Sequence, residues 1–272
     1  MSNSMKDLED ISRHIRATLV EMSHKGRAAH LGSALSCVDI LVALYWRRLK
    51  IDPQNIDAPD RDRFILSKGH GASALYATLA YRNIIPMALL ETYCQEGSKL
   101  EEHPGPRNIK GVEAATGSLG HGLSLGLGMA LAGKIQNHSY QVFILLSDGE
   151  CNEGSVWEAA MFAPAKGLNE VCVIVDFNKW QATGRSCEVM GLQPLAEKWQ
   201  AFGWDTRQVN GHDMNELVNV LSQLPDNPEK PVAIIAHTVK GKGVSFMEDD
   251  NNWHYRIPSE EELKLAKMEL GI

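Results

Sequence analysis

The chain of 272 residues has no Cys-x-x-Cys pair. Its five cysteines, at positions 37, 94, 151, 172 and 187, are odd in number and scattered. Neither a disulfide framework nor a zinc site is suggested. Positive charge is in deficit as well: 27 Lys and Arg face 34 Asp and Glu, a net charge of −7. A nucleic-acid binder should show a basic face, so that class is set aside. Apolar runs such as QVFILL and VAIIA are only strand-length, so no membrane span is expected. The start MSNSMKDLED is polar and acidic, without the charged-then-apolar pattern of a leader, which points to the cytoplasm. No linker rich in Pro, Gly or Ser and no repeat divides the sequence, so one domain over 1–272 is expected.

What is present is an alternation of strands and helices. Apolar residues at helical spacing (Leu8, Ile11, Ile15, Leu19, Met22) mark a first helix near 5–25. A loop with Gly26, His30 and Gly32 then leads to a second helix, SCVDILVALYWRRL. The strand RFILS runs into Lys68-Gly69-His70-Gly71 and the helix ASALYATLAYR. A loop with His103-Pro104-Gly105-Pro106 precedes the glycine-rich helix of GSLGHGLSLGLGMALAGKI. The strands QVFILL and VCVIVDF flank the helix VWEAAMFAPAK, which Pro164 should kink or shorten. The chain then reads as loop to about 191, followed by a helix near 193–202 and a strand at TRQVN. Asp213 and Glu216 look like a capping box for MNELVNVLSQL. The strand PVAIIAHTV ends in Lys240-Gly-Lys-Gly243, and Ser259 to Glu262 cap a last helix. Strands alternating with crossover helices mean an α/β fold, a parallel sheet with helices on both faces.

The most informative feature lies at two strand ends. QVFILL runs into Ser147-Asp148-Gly149-Glu150-Cys151-Asn152-Glu153-Gly154, and VCVIVDF runs into Asn178. Carboxyl ends of parallel strands are where open α/β sheets bind ligands. An Asp and an Asn supply hard oxygen donors, which suit Mg²⁺ or Ca²⁺ holding a phosphate. Gly149 would let the backbone turn sharply, and N–H groups at the next helix start would favour an anion. The carbonyl of Trp180 could complete the metal shell. Asp148 could instead merely cap a helix, but the strand before each residue favours ligation.

The glycines 117, 120, 122, 126 and 128 are not a dinucleotide fingerprint, since no clear strand precedes them and no suitable acidic residue follows. They read as close helix packing together with a turn at 116–119 that touches a cofactor ring. His30, His70, His103 and His254 sit in loops beside glycine or at strand exits. Each alone is ordinary; four such loops on one face would bind sugar hydroxyls and move protons. His14, His24, His138, His212 and His237 read as structural, and His121 is open. Lys240 and Lys242 either meet a phosphate or form a solvated loop.

These segments together resemble the thiamine diphosphate domain of transketolases. They are most similar to the free-standing amino-terminal subunit of split bacterial transketolases, from about residue 8 to 270. RDRFILSKGHGASALYATL, GVEAATGSLGHGLSLGLGMAL, SDGECNEGSVWEAAMFA, PLAEKWQAFGW and HTVKGKGVSFMEDDNNWH carry the resemblance. It implies a thiamine diphosphate-binding fold and ketol transfer between sugar phosphates, with pentose phosphates as the default. It implies Mg²⁺, with Ca²⁺ or Mn²⁺ as substitutes, on Asp148, Asn178 and the Trp180 carbonyl. Gly149 would lie beside the diphosphate, and Gly117, Ser118 and Leu119 at the aminopyrimidine. His30, His70, His103 and His254 would line the cofactor and the reacting end of the substrate. Glu153 would belong to the cofactor site and, with Glu158, lie near a subunit contact. Ser147 stands where the family usually has glycine, and Trp180 where it has a smaller aliphatic residue.

The family completes its site with a glutamate from a second, pyrimidine-binding domain, which is not in this sequence. A carboxy-terminal partner subunit, in an α2β2 assembly, is therefore expected, with the glycine-rich helix as a contact surface. The α subunit of a 2-oxo acid dehydrogenase and a non-catalytic subunit of the same fold are the alternatives.

Overall fold

In the computed structural model, residues 4–105, 109–224 and 229–272 are described. Pro106, the end of the His103 loop, lies outside them. Five parallel strands form one sheet: β1 (Arg63–Leu66), β2 (Val142–Ser147), β3 (Val171–Phe177), β4 (Asp205–Asn210) and β5 (Val232–His237), in the order β1-β2-β3-β5-β4.

Strand side chains alternate between two cores, as the period of two requires. Phe143, Leu145, Ile174 and Ile234 face a large cluster. Ile144, Leu146, Val173 and Ile235 face a smaller one on the other side. The first cluster packs helices α1 (Met5–Gly26), α2 (Leu31–Ser36), α3 (Val38–Ala43), α4 (Ala72–Tyr81), α9 (Met214–Ser222) and α10 (Glu260–Leu270). The second packs α5 (Gly122–Gln136), α6 (Gly154–Ala165) and α8 (Leu195–Ala201). The central strands are apolar throughout because both faces are covered.

Local chemistry sets the ends. Ser4 and Asp7 cap α1 reciprocally, and Ser259 and Glu262 do the same for α10. The capping box expected at Asp213 is only half formed. Asp213 accepts from the N–H groups of Asn215 and Glu216, but its own N–H donates to the Asn210 carbonyl. Glu216 therefore turns to the Asn210 N–H, 2.8 Å away, and ties α9 to the end of β4. Pro164 falls in the last turn of α6, which ends at Ala165.

Two expectations need correction. The second helical region starts at Leu31, not Ser36, breaks at Cys37 and ends in a wide π turn at Leu44–Arg48. Gly32 misled because it serves packing rather than turning. A Cβ there would sit 3.1 Å from Lys240 Cγ and 3.2 Å from Trp253 Cβ. The stretch expected as loop to 191 contains a one-turn helix, α7 (Ser186–Val189), and a Trp180–Arg185 bridge.

In α5, Gly122 and Gly126 allow close packing on the sheet, with Cβ positions 2.3 Å from Ser67 Oγ and 2.7 Å from Ile144 Cγ1. The outer side of α5 and α6 stays apolar: Leu125, Met161 and Phe162 are exposed beside a shallow groove that Glu158 borders. No helix among the described residues is long and apolar enough to cross a membrane.

Candidate active site

A cleft of about 380 Å³ opens over the carboxyl ends of the strands. The register pairs Ser147 with Asp176, so Asp148 and Asn178 emerge from adjacent strands. Asp148 is fully buried, and its carboxylate accepts from Gly149 N–H (2.9 Å), Lys179 N–H (2.9 Å) and Ser186 Oγ (2.7 Å). Its pKa is pushed up to about 6, chiefly by burial. Among the described residues no cationic side chain pairs with it. The nearby Lys68 is committed to Asp176, in a fully buried pair that Ser36 and Thr238 complete. A buried carboxylate without a counter-charge, beside the amide oxygen of Asn178, fits a divalent cation. No group of three His, Cys, Asp or Glu among the described residues could hold a metal alone. Two side-chain oxygens and the Trp180 carbonyl leave room for phosphate and water oxygens. The residues present thus fit a metal-bound diphosphate.

The loop after β2 differs from expectation. Gly149 takes no positive φ, and it opens a short 3-10 turn, Gly149–Asn152. Two N–H groups expected to meet an anion are engaged within the turn: Gly149 with Asp148, and Glu150 with Ser147 Oγ at 3.2 Å. Glu150 Oε2 accepts in return from Ser147 N–H at 3.2 Å. Ser147-x-x-Glu150 is therefore a reciprocal cap, which explains a serine in place of the glycine. Glu150 is itself buried, and its Oε1 accepts from Gly120 N–H (2.8 Å) and Ser67 Oγ. It joins three loops of the site, and the S-x-x-E spacing was the signal that could have found it.

The four candidate histidines come together. The His30 ring lies 5.6 Å from His70, 5.7 Å from His103 and 5.0 Å from His254, centroid to centroid, and all four line the cleft. His30 caps α2 in the left-handed region (φ 66°), and His103 rests against Gly117, whose φ of 146° only glycine accepts readily. A Cβ on Gly117 would lie 2.9 Å from the His103 ring. Burial holds His70 well below the usual imidazole range, helped by Lys68. Burial and then Lys240 hold His254 down to about 3.

Gly117, Leu119, Gly149, Glu153, Asn178 and Trp180 also line the cleft, whereas Ser118 is exposed and does not. Lys240 is fully buried, with Nζ 2.7 Å from Asn251 Oδ1 and 3.0 Å from His254 Nδ1. Burial, with Lys68 adding to it, lowers its pKa to about 8. Lys242 instead pairs with Glu248 at 3.1 Å. On the cleft wall Trp180 donates its indole N–H to Asp249 (2.8 Å), which Arg185 grips with both guanidinium nitrogens while stacking 3.8 Å over the indole. The other histidines make separate local bonds, such as His212 Nδ1 to Asp39 at 2.8 Å, and His121 is exposed at the start of α5.

Residues 8–272 match the family described as transketolase, thiamine diphosphate binding domain. One of the two subunits of an apulose-4-phosphate transketolase from Phocaeicola vulgatus is 40% identical over 267 residues, covering 98% of this chain and 95% of the relative. A 6-deoxy-6-sulfo-D-fructose transketolase subunit from a Clostridium species is 41% identical, covering 99% and 98%. Among solved structures, the transketolase of Campylobacter jejuni superposes with a TM-score of 0.90 at 28% identity, covering 99% of this chain and 43% of that one. The Leishmania mexicana transketolase does so with 0.90 at 26% identity, covering 100% and 42%. The chain thus spans less than half of those transketolases and nearly all of the free-standing subunits. It belongs to the transketolase family, as a thiamine diphosphate-binding domain.

Proposed function

We propose that the chain is the thiamine diphosphate-binding subunit of a two-subunit transketolase, which moves a two-carbon ketol unit from a ketose to an aldose. The observation that carries this reading is the cluster of four histidine rings over the strand ends of Asp148 and Asn178. Bound thiamine diphosphate supplies a nucleophilic carbon and an electron sink that no side chain offers.

The chain's own residues bind, orient and handle protons. Asp148, Asn178 and the Trp180 carbonyl are the proposed ligands of Mg²⁺, with Ca²⁺ or Mn²⁺ as substitutes. Gly149 and Glu153 would border the diphosphate, and Gly117, Ser118 and Leu119 the aminopyrimidine. His30, His70, His103 and His254 would hold sugar hydroxyls and move their protons.

Relatives named for apulose 4-phosphate and 6-deoxy-6-sulfofructose support an anionic ketose from a specialised catabolic route over a pentose phosphate default. Relatives named as subunits support a carboxy-terminal partner, with the apolar side of α5 and α6 as its seat.

The test is reconstitution with the partner subunit, calorimetry with thiamine diphosphate and Mg²⁺, and a donor–acceptor screen. Cofactor binding and ketol transfer by the pair alone are expected. Full transfer by this chain alone would remove the two-subunit reading. A pair that binds no cofactor would remove the enzyme reading in favour of a non-catalytic subunit.

A further inference from the structure

The four histidines are not equivalent, and their second ring nitrogens say why. His30 Nδ1 lies 3.0 Å from Glu102 Oε1, and His254 Nδ1 lies 3.0 Å from Lys240 Nζ. We propose that Glu102 and Lys240 are positioning residues that fix His30 and His254 in opposite ring tautomers. His30 then faces the cleft with a lone pair on Nε2, and His254 with an N–H on Nε2.

The argument is one of donors and acceptors. A carboxylate only accepts, so the proton of neutral His30 must sit on Nδ1. An ammonium only donates, so His254 must offer its lone pair at Nδ1 and carry its proton on Nε2. Both partners are themselves fixed. Glu102 Oε1 also accepts from Ala29 N–H at 3.3 Å, and Lys240 Nζ also donates to Asn251 Oδ1 at 2.7 Å. Among the described residues neither Nε2 has a hydrogen-bond partner, and both rings line the cleft.

The second protonation state separates the two rings further. If His30 takes a proton from a hydroxyl, the imidazolium lies against the Glu102 carboxylate, which compensates its charge. A second proton on His254 would face the ammonium of Lys240 at hydrogen-bond distance, and Lys68 lies behind. His30 is therefore built as a base, while His254 is built as a neutral donor to an oxygen. The rings meet at 85° with centroids 5.0 Å apart, so one substrate can touch both. His70 and His103 complete the ring cluster around them.

This assignment deepens the transketolase reading and rests on it only for the identity of the substrate. The tautomers belong to the chain itself and can be read without cofactor, partner or activity. In the full chain labelled with ¹⁵N-histidine, long-range ¹H–¹⁵N spectra at pH 7 are expected to show His30 protonated on Nδ1 and His254 on Nε2. Glu102→Ala should release His30 to a mixture of tautomers, and Lys240→Met should release His254. Glu102→Gln, whose amide oxygen still accepts, should keep the His30 tautomer. With the partner subunit present, Glu102→Gln should lower kcat about tenfold or more at little change in KM, because the imidazolium loses its counter-charge. A wild-type spectrum with His30 protonated on Nε2, or His254 on Nδ1, overturns the proposal even if no variant folds. Tautomers that ignore both alanine and methionine changes overturn it too. If ketol transfer is never observed, the spectra still decide the tautomers, and only the transketolase reading falls.

Discussion

The backbone N–H of His30 donates to the carbonyl of His254 at 2.7 Å. Two residues far apart in sequence are thus joined at the main chain as well as at their rings. This bond holds His30 in its left-handed conformation, which few non-glycine residues adopt without support. It also makes the turn before α2 and the loop after β5 one piece of the cleft wall. Other couplings of this kind have measurable consequences.

Cofactor and metal binding should release protons near pH 6. Without a cation, burial keeps the Asp148 carboxyl protonated up to about pH 6, against 3.8 for the free group. A bound cation requires it ionised, so at pH 6 about half a proton should leave per site, and almost none at pH 8. Calorimetry in buffers of different ionisation heat measures this number. The same shift makes the cofactor-free chain lose stability as pH rises from about 4 to about 6, since the unfolded carboxyl ionises first. Asp148→Asn should abolish both the binding and the proton release.

Ser147→Gly, which restores the residue usual in the family, should separate stability from binding. It removes the acceptor for Glu150 N–H and should cost about 1 kcal/mol in urea unfolding. It also frees that N–H toward the cleft. The affinity for thiamine diphosphate should not fall, and calorimetry on the reconstituted pair is the check.

Asp39 lies far from the chemistry and should matter for folding. It is buried, bonded to both guanidinium nitrogens of Arg16 (3.0 and 2.6 Å) and to His212 Nδ1. Burial would raise its pKa, but Arg16 and His212 outweigh that and hold it well below the carboxylate range. Asp39→Ala strands the Arg16 charge and should cost about 3–5 kcal/mol, read by urea unfolding. Because His212 Nε2 accepts from Val239 N–H at 2.8 Å, the segment leading to Lys240 should loosen as well, seen as faster amide exchange at Val239.

Asp249→Ala should change the cleft more than the fold. The Arg185–Asp249 pair is exposed, so its loss should cost less than about 1 kcal/mol. But it clamps the loop that carries the Trp180 carbonyl. Thiamine diphosphate should leave several-fold faster, measured by dilution and return of activity.

Much of this was readable before folding. The strand runs, the strand-end Asp148 and Asn178 and the four loop histidines rest on periodicity and on turn residues, which are local signals. What stayed hidden depends on partners distant in sequence. Nothing local marks Glu102 as the partner of His30, or Lys240 as buried rather than solvated. Gly32 looked like a loop residue because a glycine used for close approach has the same letter as one used for a turn. Ser147 read as a departure from the family when it is half of a cap, a motif masked by the more prominent Asp-Gly beside it. The glutamate at Asp213's helix was legible, but its choice of N–H was set by the Asn210 carbonyl.

The clasp on the cleft wall has a practical consequence. Trp180 is the one tryptophan that lines the cleft; the other five lie in or against the two cores. Its indole is held by Asp249 and covered by Arg185, so its surroundings are defined before any ligand arrives. A molecule entering the cleft alters those surroundings while the other five tryptophans keep theirs. The chain therefore carries an optical reporter of occupancy, and a change in its ultraviolet emission can time each filling of the site without a dye or a coupled assay.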